Sequence, residues 1–402
     1  MRATSAISQF DAAQSARPRR LVILGATGSV GRTTRSVILN TPEKFDVEVV
    51  AGGQDVEALA QTAIALRAKR AVIADAAGYQ ALRTALAGTS IIVSAGAEAM
   101  CEAAALPSDM VIGAIAGTAG VRPTHAAVAA GRTVALANKE CLVCAGGPFM
   151  RAVQRSGGQI LPMDSEHNAI FQALGGAHPD TIERMILTAS GGPFRTWTNE
   201  AIANATPEQA LAHPNWLMGP KVTIDSAGLM NKGLELIEAH FLFGVGADRL
   251  DVLVHPQSIV HGLVSFADGA IIAGLAHPDM AVPIAHCLGY PNRLSTQARR
   301  LDLAEIGTLT FERPDYARFP ALGVAMEALR HGEGLPTVLN AANEVAVDLF
   351  LQRRIGFQEI ARIVAKICEQ AVADGSAREA QSIDEALAVD HVSRERCRTL
   401  LA

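Results

Sequence analysis

Apolar runs recur along the first part of the chain at residues 21–24, 47–51, 71–74, 91–93, 110–115 and 133–137, and most are separated by Ala-rich stretches with helical spacing. The first run passes through a glycine turn, LVILGATGSVG, into a helical stretch that ends near Leu39. Regular β, turn, α, β alternation predicts a doubly wound parallel sheet with helices on both faces. Past residue 160 the pattern changes. Residues 182–189 and 252–254 read as strands, and 258–266 runs through Asp268-Gly269 into 270–275, the signature of a hairpin. An α+β region with some antiparallel sheet is expected there. A Pro-containing, aperiodic stretch at 308–318 reads as a connector, and 321–330, 338–353, 358–372 and 383–400 read as a helical bundle, the last opened by Ser382 and Glu385 at capping-box spacing.

These segments give an expected division: a loose tail at 1–18, a cofactor domain at 19–163, a second domain at 164–307, the connector, and a helical domain at 319–402. Composition agrees with folded domains, because 49% of the 402 residues are hydrophobic. A net charge of −5 with 12 Phe, 3 Tyr and 2 Trp lacks the basic stripe and stacking platforms of a general nucleic-acid binder. Six scattered cysteines suggest reduced thiols in a cytoplasm-like compartment, and the isolated Cys141/Cys144 pair reads as buried small residues. The first twenty residues lack an apolar core for a secretory signal, and the mild run at 111–121 is glycine-broken and too short to cross a bilayer, so no membrane role is expected.

Gly25, Gly28 and Gly31 fall where a strand turns into a helix, the place where backbone N–H groups approach a pyrophosphate. The second strand ends in Gly52-Gly53-Gln54 without the carboxylate that binds the ribose of NAD, which favours NADP(H). Asp164 and Glu166 follow the apolar run 160–163; in extended backbone they would point the same way and offer hard oxygens to Mg²⁺ or Mn²⁺. An acidic helix start is the alternative. Glu235 and Glu238 share a helix face, spacing alone does not choose between them, and exposed helix charges are the alternative for either. Ser226, Asn231 and Lys232 nearby could hold an anion beside a metal. Ser190-Gly191-Gly192 is a second glycine turn with anion-binding capacity. The segment from His213 to Pro220, with Trp216, Met218 and Gly219, reads as an irregular apolar lid, the alternative being a Trp pinned in a domain seam. Asn138-Lys139-Glu140 stands at a carboxyl edge, and His255 and His261 read as core or interface polar residues.

GATGSVG, ANKE, PMDSEHNAIFQ, TASGGPF, HPNW, MNKGLE, HPQSIVH and LNAANE occur in an order that resembles the 1-deoxy-D-xylulose 5-phosphate reductoisomerase family from about Leu21 onward. The resemblance implies a Rossmann-like N-terminal domain, a central catalytic domain that forms a homodimer, and a C-terminal helical domain. It implies NADPH- and Mg²⁺- or Mn²⁺-dependent rearrangement and reduction of a small phosphorylated ketose to 2-C-methyl-D-erythritol 4-phosphate, in non-mevalonate isoprenoid biosynthesis. By motif, the metal ligands are Asp164, Glu166 and Glu235, which decides against Glu238. Ser190, His213, Ser226, Asn231 and Lys232 take the phosphate, Lys139 and Ser165 the hydroxyl and carbonyl end, and Trp216 and Met218 cover it. Gly25, Thr27, Gly28, Ser29, Val30, Gly52, Gly53, Gln54, Asn138, Glu140, Gly219 and Met280 line the cofactor site. Two departures exist: Cys141 replaces a common serine, and Gly53 stands where some members place a lysine near the adenosine phosphate, leaving Arg32 as a positional candidate. The rival readings are a semialdehyde dehydrogenase sharing the GATG turn, and a regulator that binds NADPH without catalysis.

Overall fold

The structure is a computed structural model that describes residues 17–216, 218–332 and 334–400. The expected tail at 1–18 lies almost wholly outside the described residues. The chain divides into two units: one of residues up to 141, 149–165 and 279–298, the other of 142–148, 166–278 and 299–402.

The first unit holds strands β1 (Arg19–Leu24), β2 (Phe45–Gly52), β3 (Arg70–Ile73), β4 (Ile92–Ala95), β5 (Met110–Gly113), β6 (Thr133–Leu136) and β7 (Gln159–Pro162). They form one parallel sheet in the order β4-β3-β2-β1-β5-β6-β7. Leu21, Val22, Ile23 and Leu24 are all essentially inaccessible, as expected for a central strand covered on both faces. Helices α1 (Ser29–Leu39), α2 (Val56–Ala65), α3 (Tyr79–Ala85), α4 (Ala97–Ala105) and α5 (Val121–Ala129) connect successive strands. Strand order reverses between β1 and β5, so the carboxyl ends of these two strands mark the crevice where such sheets take ligands.

Helix α6 (Glu140–Ser156) is kinked at Ala145 (φ −139°, ψ 27°), with Pro148 three residues on. Cys141 and Cys144 lie buried in it, as read from the sequence above. Helix α7 (Ser165–Leu174) begins only three residues after β7 ends. The extended geometry expected for Asp164 and Glu166 is therefore wrong: Asp164 immediately precedes a helix and Glu166 sits in its first turn, where negative charge is favoured by the helix dipole.

In the second unit, β8 (Ile182–Ala189), β9 (Leu250–Val254), β10 (Val260–Phe266) and β11 (Ile271–Leu275) form a mixed sheet ordered β11-β10-β8-β9. Strands β10 and β11 are the predicted hairpin, and β8 pairs antiparallel to β10 and parallel to β9. Strand β10 starts later than expected because Ser258 takes a left-handed φ of 53°. Glycines in the hairpin seat α7: a Cβ at Gly262 would stand 2.8 Å from Glu166 O, and one at Gly274 2.6 Å from the Ala169 Cβ.

Short helices α8 (Asn199–Ala203) and α9 (Pro207–Leu211) lead to α10 (Pro220–Ala227) and α11 (Met230–Phe243). Gly219-Pro220 opens α10 instead of forbidding regular structure, since proline suits the first helical position. Residues 279–298, with α12 (Ala281–Gly289), belong to the first unit, where α12 packs on α1 and β7. After α13 (Leu303–Ile306) and the connector, α14 (Pro320–His331), α15 (Leu335–Leu351), α16 (Phe357–Ala373) and α17 (Ile383–Leu400) form the helical region. Ser382 Oγ accepts the Glu385 N–H, whereas the Glu385 carboxylate takes the Gln381 N–H, one residue short of a true capping box. Among the described residues no helix is long and apolar enough to cross a membrane.

Candidate active site

In the first unit, Gly25 has φ 83°, and a Cβ there would collide with the backbone of Ala114; at Gly31 a Cβ would collide with Gly25 O. Packing of turn, strand and helix demands both glycines. Gly28 is different: it is exposed, and no atom approaches its missing Cβ closer than 3.4 Å. As the N-cap of α1 it offers no side-chain cap, so the first helical N–H groups have no partner from that residue. An uncapped helix start behind an open glycine is a cradle for an anion. Thr27 lies against Gly52 at the end of β2, while Gly53 and Gln54 are exposed. Ser29 is exposed, and Val30 and Met280 are half-buried.

At the end of β6, Asn138 Nδ2 donates to Ile115 O and, at 3.0 Å, to Gly117 O, so its amide fixes the loop after β5. Glu140 is buried. Lys139 Nζ lies 3.1 Å from Asp164 Oδ2, and Asp164 Oδ1 accepts the Ser165 N–H at 2.9 Å.

In the second unit α7 and α11 bring together Glu166, Lys232 and Glu235. Lys232 Nζ is 2.7 Å from Glu166 Oε1 and 2.7 Å from Glu235 Oε2, and Asn231 Nδ2 donates to Glu235 Oε1 at 2.6 Å. Lys232 is 4% and Glu235 1% exposed. Burial alone would lower the lysine's pKa, but the two carboxylates outweigh it and hold the ammonium above its usual value. The Glu166 carboxylate lies within 4.8 Å of that of Glu235 in the same unit. Paired carboxylates that already hold one cation suit a hard divalent ion.

Local backbone explains the convergence. Leu229, between α10 and α11, is buried with φ 60°, a strained conformation that costs about 1 kcal/mol or more and turns α11 back beside Ser226. Gly233 of the MNKGLE segment has no room for a Cβ, which would strike Ala325 on α14.

Ser190, His213 and Ser226 occupy the same unit. His213 Nδ1 accepts the N–H groups of Asn215 (3.2 Å) and Trp216 (2.9 Å), which puts the ring hydrogen on Nε2, 3.0 Å from Ser190 Oγ. Burial, helped by Lys232, lowers the His213 pKa and keeps the ring neutral near pH 7. Ser190 Oγ also accepts the Gly192 N–H, so its own hydrogen is free to point at a ligand. A Cβ at Gly192 would stand 2.8 Å from Ser226 O, so the glycine turn lies directly against the end of α10. Ser226 Oγ donates to Val222 O at 2.8 Å, leaving its lone pairs.

The expected lid is tied down more firmly than its Pro and Gly content suggests. Asn215 Nδ2 donates to Pro256 O (2.9 Å) and Ser258 Oγ (2.7 Å), and the half-buried Trp216 meets His261 edge-on at 6.1 Å. Met218 is half-buried and Gly219 exposed. His255 and His261 are buried, with ring nitrogens on Thr310 O and Ala276 O, the core role expected.

Sequence reasoning missed His167 and Asn215 and misread Glu238. His167 is fully buried, with Nε2 2.8 Å from Glu235 O and Nδ1 3.5 Å from Glu238 Oε2. Glu238, the alternative ligand, is thus no exposed helix charge but 1% accessible and turned toward the histidine. The i, i+3 spacing of the two glutamates carried no sign of this partner.

Family models cover most of the chain: 1-deoxy-D-xylulose 5-phosphate reductoisomerase over residues 21–146, the C-terminal domain of that enzyme over 160–243, and a DXP reductoisomerase C-terminal domain over 275–396. A 1-deoxy-D-xylulose 5-phosphate reductoisomerase from Rhodopseudomonas palustris (strain BisB5) is 54% identical over 97% of this chain and 96% of its own. This chain belongs to the 1-deoxy-D-xylulose 5-phosphate reductoisomerase family. The relative from Bradyrhizobium sp. (strain ORS 278) is 52% identical over 95% of this chain and 94% of its own. Among solved reductoisomerases, that of Zymomonas mobilis in complex with NADPH superposes with a TM-score of 0.91 at 45% identity, covering 96% of this chain and 99% of that one. A reductoisomerase complex with NADPH, fosmidomycin and magnesium also gives 0.91, at 37% identity, over 95% and 98%.

Proposed function

We propose that this reductoisomerase-family chain converts 1-deoxy-D-xylulose 5-phosphate to 2-C-methyl-D-erythritol 4-phosphate with NADPH and Mg²⁺ or Mn²⁺. The observation that carries the reading is the cluster of half-buried Glu166 with buried Lys232 and Glu235, Glu166 lying two residues after Asp164. Asp164, Glu166 and Glu235 hold the metal, and the Gly28 cradle takes the cofactor pyrophosphate. When bound, the divalent ion supplies carbonyl polarisation and NADPH the hydride.

The chain's own groups orient and shield. Ser190 donates its hydroxyl hydrogen to the substrate phosphate with neutral His213 orienting it through Nε2–H, Asn231 donates beside it, Ser226 joins by turning its hydroxyl away from Val222 O, and Lys232 adds the positive charge. Remote phosphate binding holds the reacting end in place. Lys139 and Ser165 face the hydroxyl and carbonyl end, while Trp216 and Met218 exclude water. Gly25, Thr27, Ser29, Val30, Gly52, Gly53, Gln54, Asn138, Glu140, Gly219 and Met280 form or support the cofactor site.

The domain limits of 19–163, 164–307 and 319–402 are proposed as functional parts. A homodimer is supported by β11, an edge strand exposing Ile271, Ile272 and Leu275 at 59%, 48% and 40%. Six free cysteines, five of them buried, support a cytoplasmic location. The semialdehyde dehydrogenase reading lacks support, since an accessible thiolate beside the cofactor is required and Cys141 and Cys144 are buried. Chelation tests the proposal: turnover should vanish with chelator and return with Mg²⁺ or Mn²⁺. Turnover that survives chelation would exclude it, and absence of any substrate-dependent NADPH oxidation would favour the regulator.

A further inference from the structure

NADPH carries a phosphate on its adenosine ribose, and that ribose lies by the carboxyl end of the second strand in a doubly wound sheet. Here β2 ends in Gly52-Gly53-Gln54, which provides no charge. The compensating cation has to come from elsewhere in the first unit, and most of its basic residues are at the wrong end. Arg19 and Arg20 open β1, Arg70 opens β3, and Lys69 is held by Asp46 and Glu48 at the start of β2. Arg293 follows α12, whose final carbonyls receive Arg19. At the carboxyl edge, Lys139 is engaged with Asp164, and Arg122 belongs to α5, which right-handed crossover puts on the face opposite α1. Arg35 is drawn toward α2, where Nη1 meets Thr62 Oγ1 at 3.4 Å.

Arg32 remains. It is exposed in the first turns of α1, and its Nη1 donates to Thr27 O at 2.7 Å, folding the side chain back over the glycine turn. Thr27 is the residue that touches the end of β2: its Cγ2 would lie 3.3 Å from a Cβ on Gly52. The guanidinium is thus tethered to the residue that touches the strand end, with the rest of its donor fork unspent among the described residues. It also lines an open cavity of about 350 Å³ beside α12, shared with Ser36, Asn40 and Asp279.

We propose that Arg32 neutralises the adenosine 2′-phosphate of NADPH and sets this chain's preference for NADPH over NADH; the proposal rests on the function given above. A planar guanidinium suits a phosphate through paired donors, and the absence of a side chain at Gly53 leaves the phosphate room to meet it.

Dissociation constants for NADPH and NADH, read from nicotinamide fluorescence without substrate, test this directly. Arg32→Ala should weaken NADPH about 10- to 100-fold and leave NADH unchanged, Arg32→Lys should recover part of the loss, and Arg35→Ala should match the wild type. Equal loss of both cofactors in Arg32→Ala would reduce Arg32 to a turn-stabilising residue and overturn the proposal, as would unchanged NADPH binding or a selective loss in Arg35→Ala. A wild type that binds NADH as well as NADPH would defeat the cofactor assignment itself, a result distinct from any of these.

Discussion

Lys232 and Glu235 face each other one turn apart on α11, ammonium to carboxylate at 2.7 Å, and the same ammonium reaches Glu166 at 2.7 Å. A positive charge therefore already occupies the place between two of the proposed metal ligands. Lys232 has two roles that compete: counter-ion to the carboxylates, and donor to the substrate phosphate.

Removing Lys232 should expose that competition. Lys232→Ala should raise KM for the phosphorylated substrate, since loss of a charge-assisted contact costs about 1.5 to 3 kcal/mol. It should also leave Glu166 and Glu235 without their shared cation, so added Mg²⁺ should raise Tm more in the variant than in the wild type. Ser226→Ala should raise KM without the Mg²⁺-dependent change in Tm. Unchanged KM in both variants would remove them from the phosphate site.

Glu235→Gln should cut turnover roughly a hundredfold or more while NADPH still binds, because one anionic metal ligand is lost and the cofactor cradle is untouched. Glu238→Gln should be mild, since an amide fills the same space beside His167. Glu238→Ala, by contrast, should lose about 2 to 4 kcal/mol of stability in urea unfolding, by leaving a cavity beside the buried His167 ring. If Glu238→Gln abolished turnover and Glu235→Gln did not, the ligand assignment would be reversed.

Trp197 and Trp216 are the only tryptophans. In a Trp197→Phe background, fosmidomycin with Mg²⁺ should change Trp216 fluorescence, and the change should be much smaller without metal. The bonds from Asn215 to Pro256 and Ser258 set the resting position of this segment. Asn215→Ala should therefore alter the starting spectrum while keeping the response. A flat signal at saturating inhibitor would make Trp216 a fixed packing residue.

His286 offers a pH test at a residue that is not one of the proposed metal ligands. Burial holds its pKa down to about 4 from 6.5, with Arg293 adding to the effect. Between those values the unfolded chain takes up a proton that the folded chain refuses, so stability is fully present above pH 6.5 and falls as pH drops toward 4. The shift is worth on the order of 3 kcal/mol. Urea unfolding near pH 7 and near pH 4.5 should show a steeper loss for the wild type than for His286→Gln, and parallel losses would contradict the assignment.

The parallel sheet was legible because its strands are buried on both faces and read as continuous apolar runs, as Leu21 to Leu24 illustrate. The hairpin was legible from Asp268-Gly269. The start of α7 was not, because the apolar run before it extends to Met163 and hides a strand that stops at Pro162. His167 and Asn215 were missed for a related reason: each acts through one tertiary partner, Glu238 or Ser258, far away in sequence. Glu235 and Glu238 show the limit most clearly, since periodicity puts them on one face and only folding sends one to Lys232 and the other to His167.

The central claim is tested most directly by following NADPH oxidation with 1-deoxy-D-xylulose 5-phosphate and Mg²⁺ and identifying the phosphorylated product by NMR. One NADPH should be consumed per substrate, with 2-C-methyl-D-erythritol 4-phosphate as the product and no reaction when the metal is omitted. Oxidation that yields an unbranched, merely reduced sugar phosphate, or no oxidation with metal present, would contradict the account.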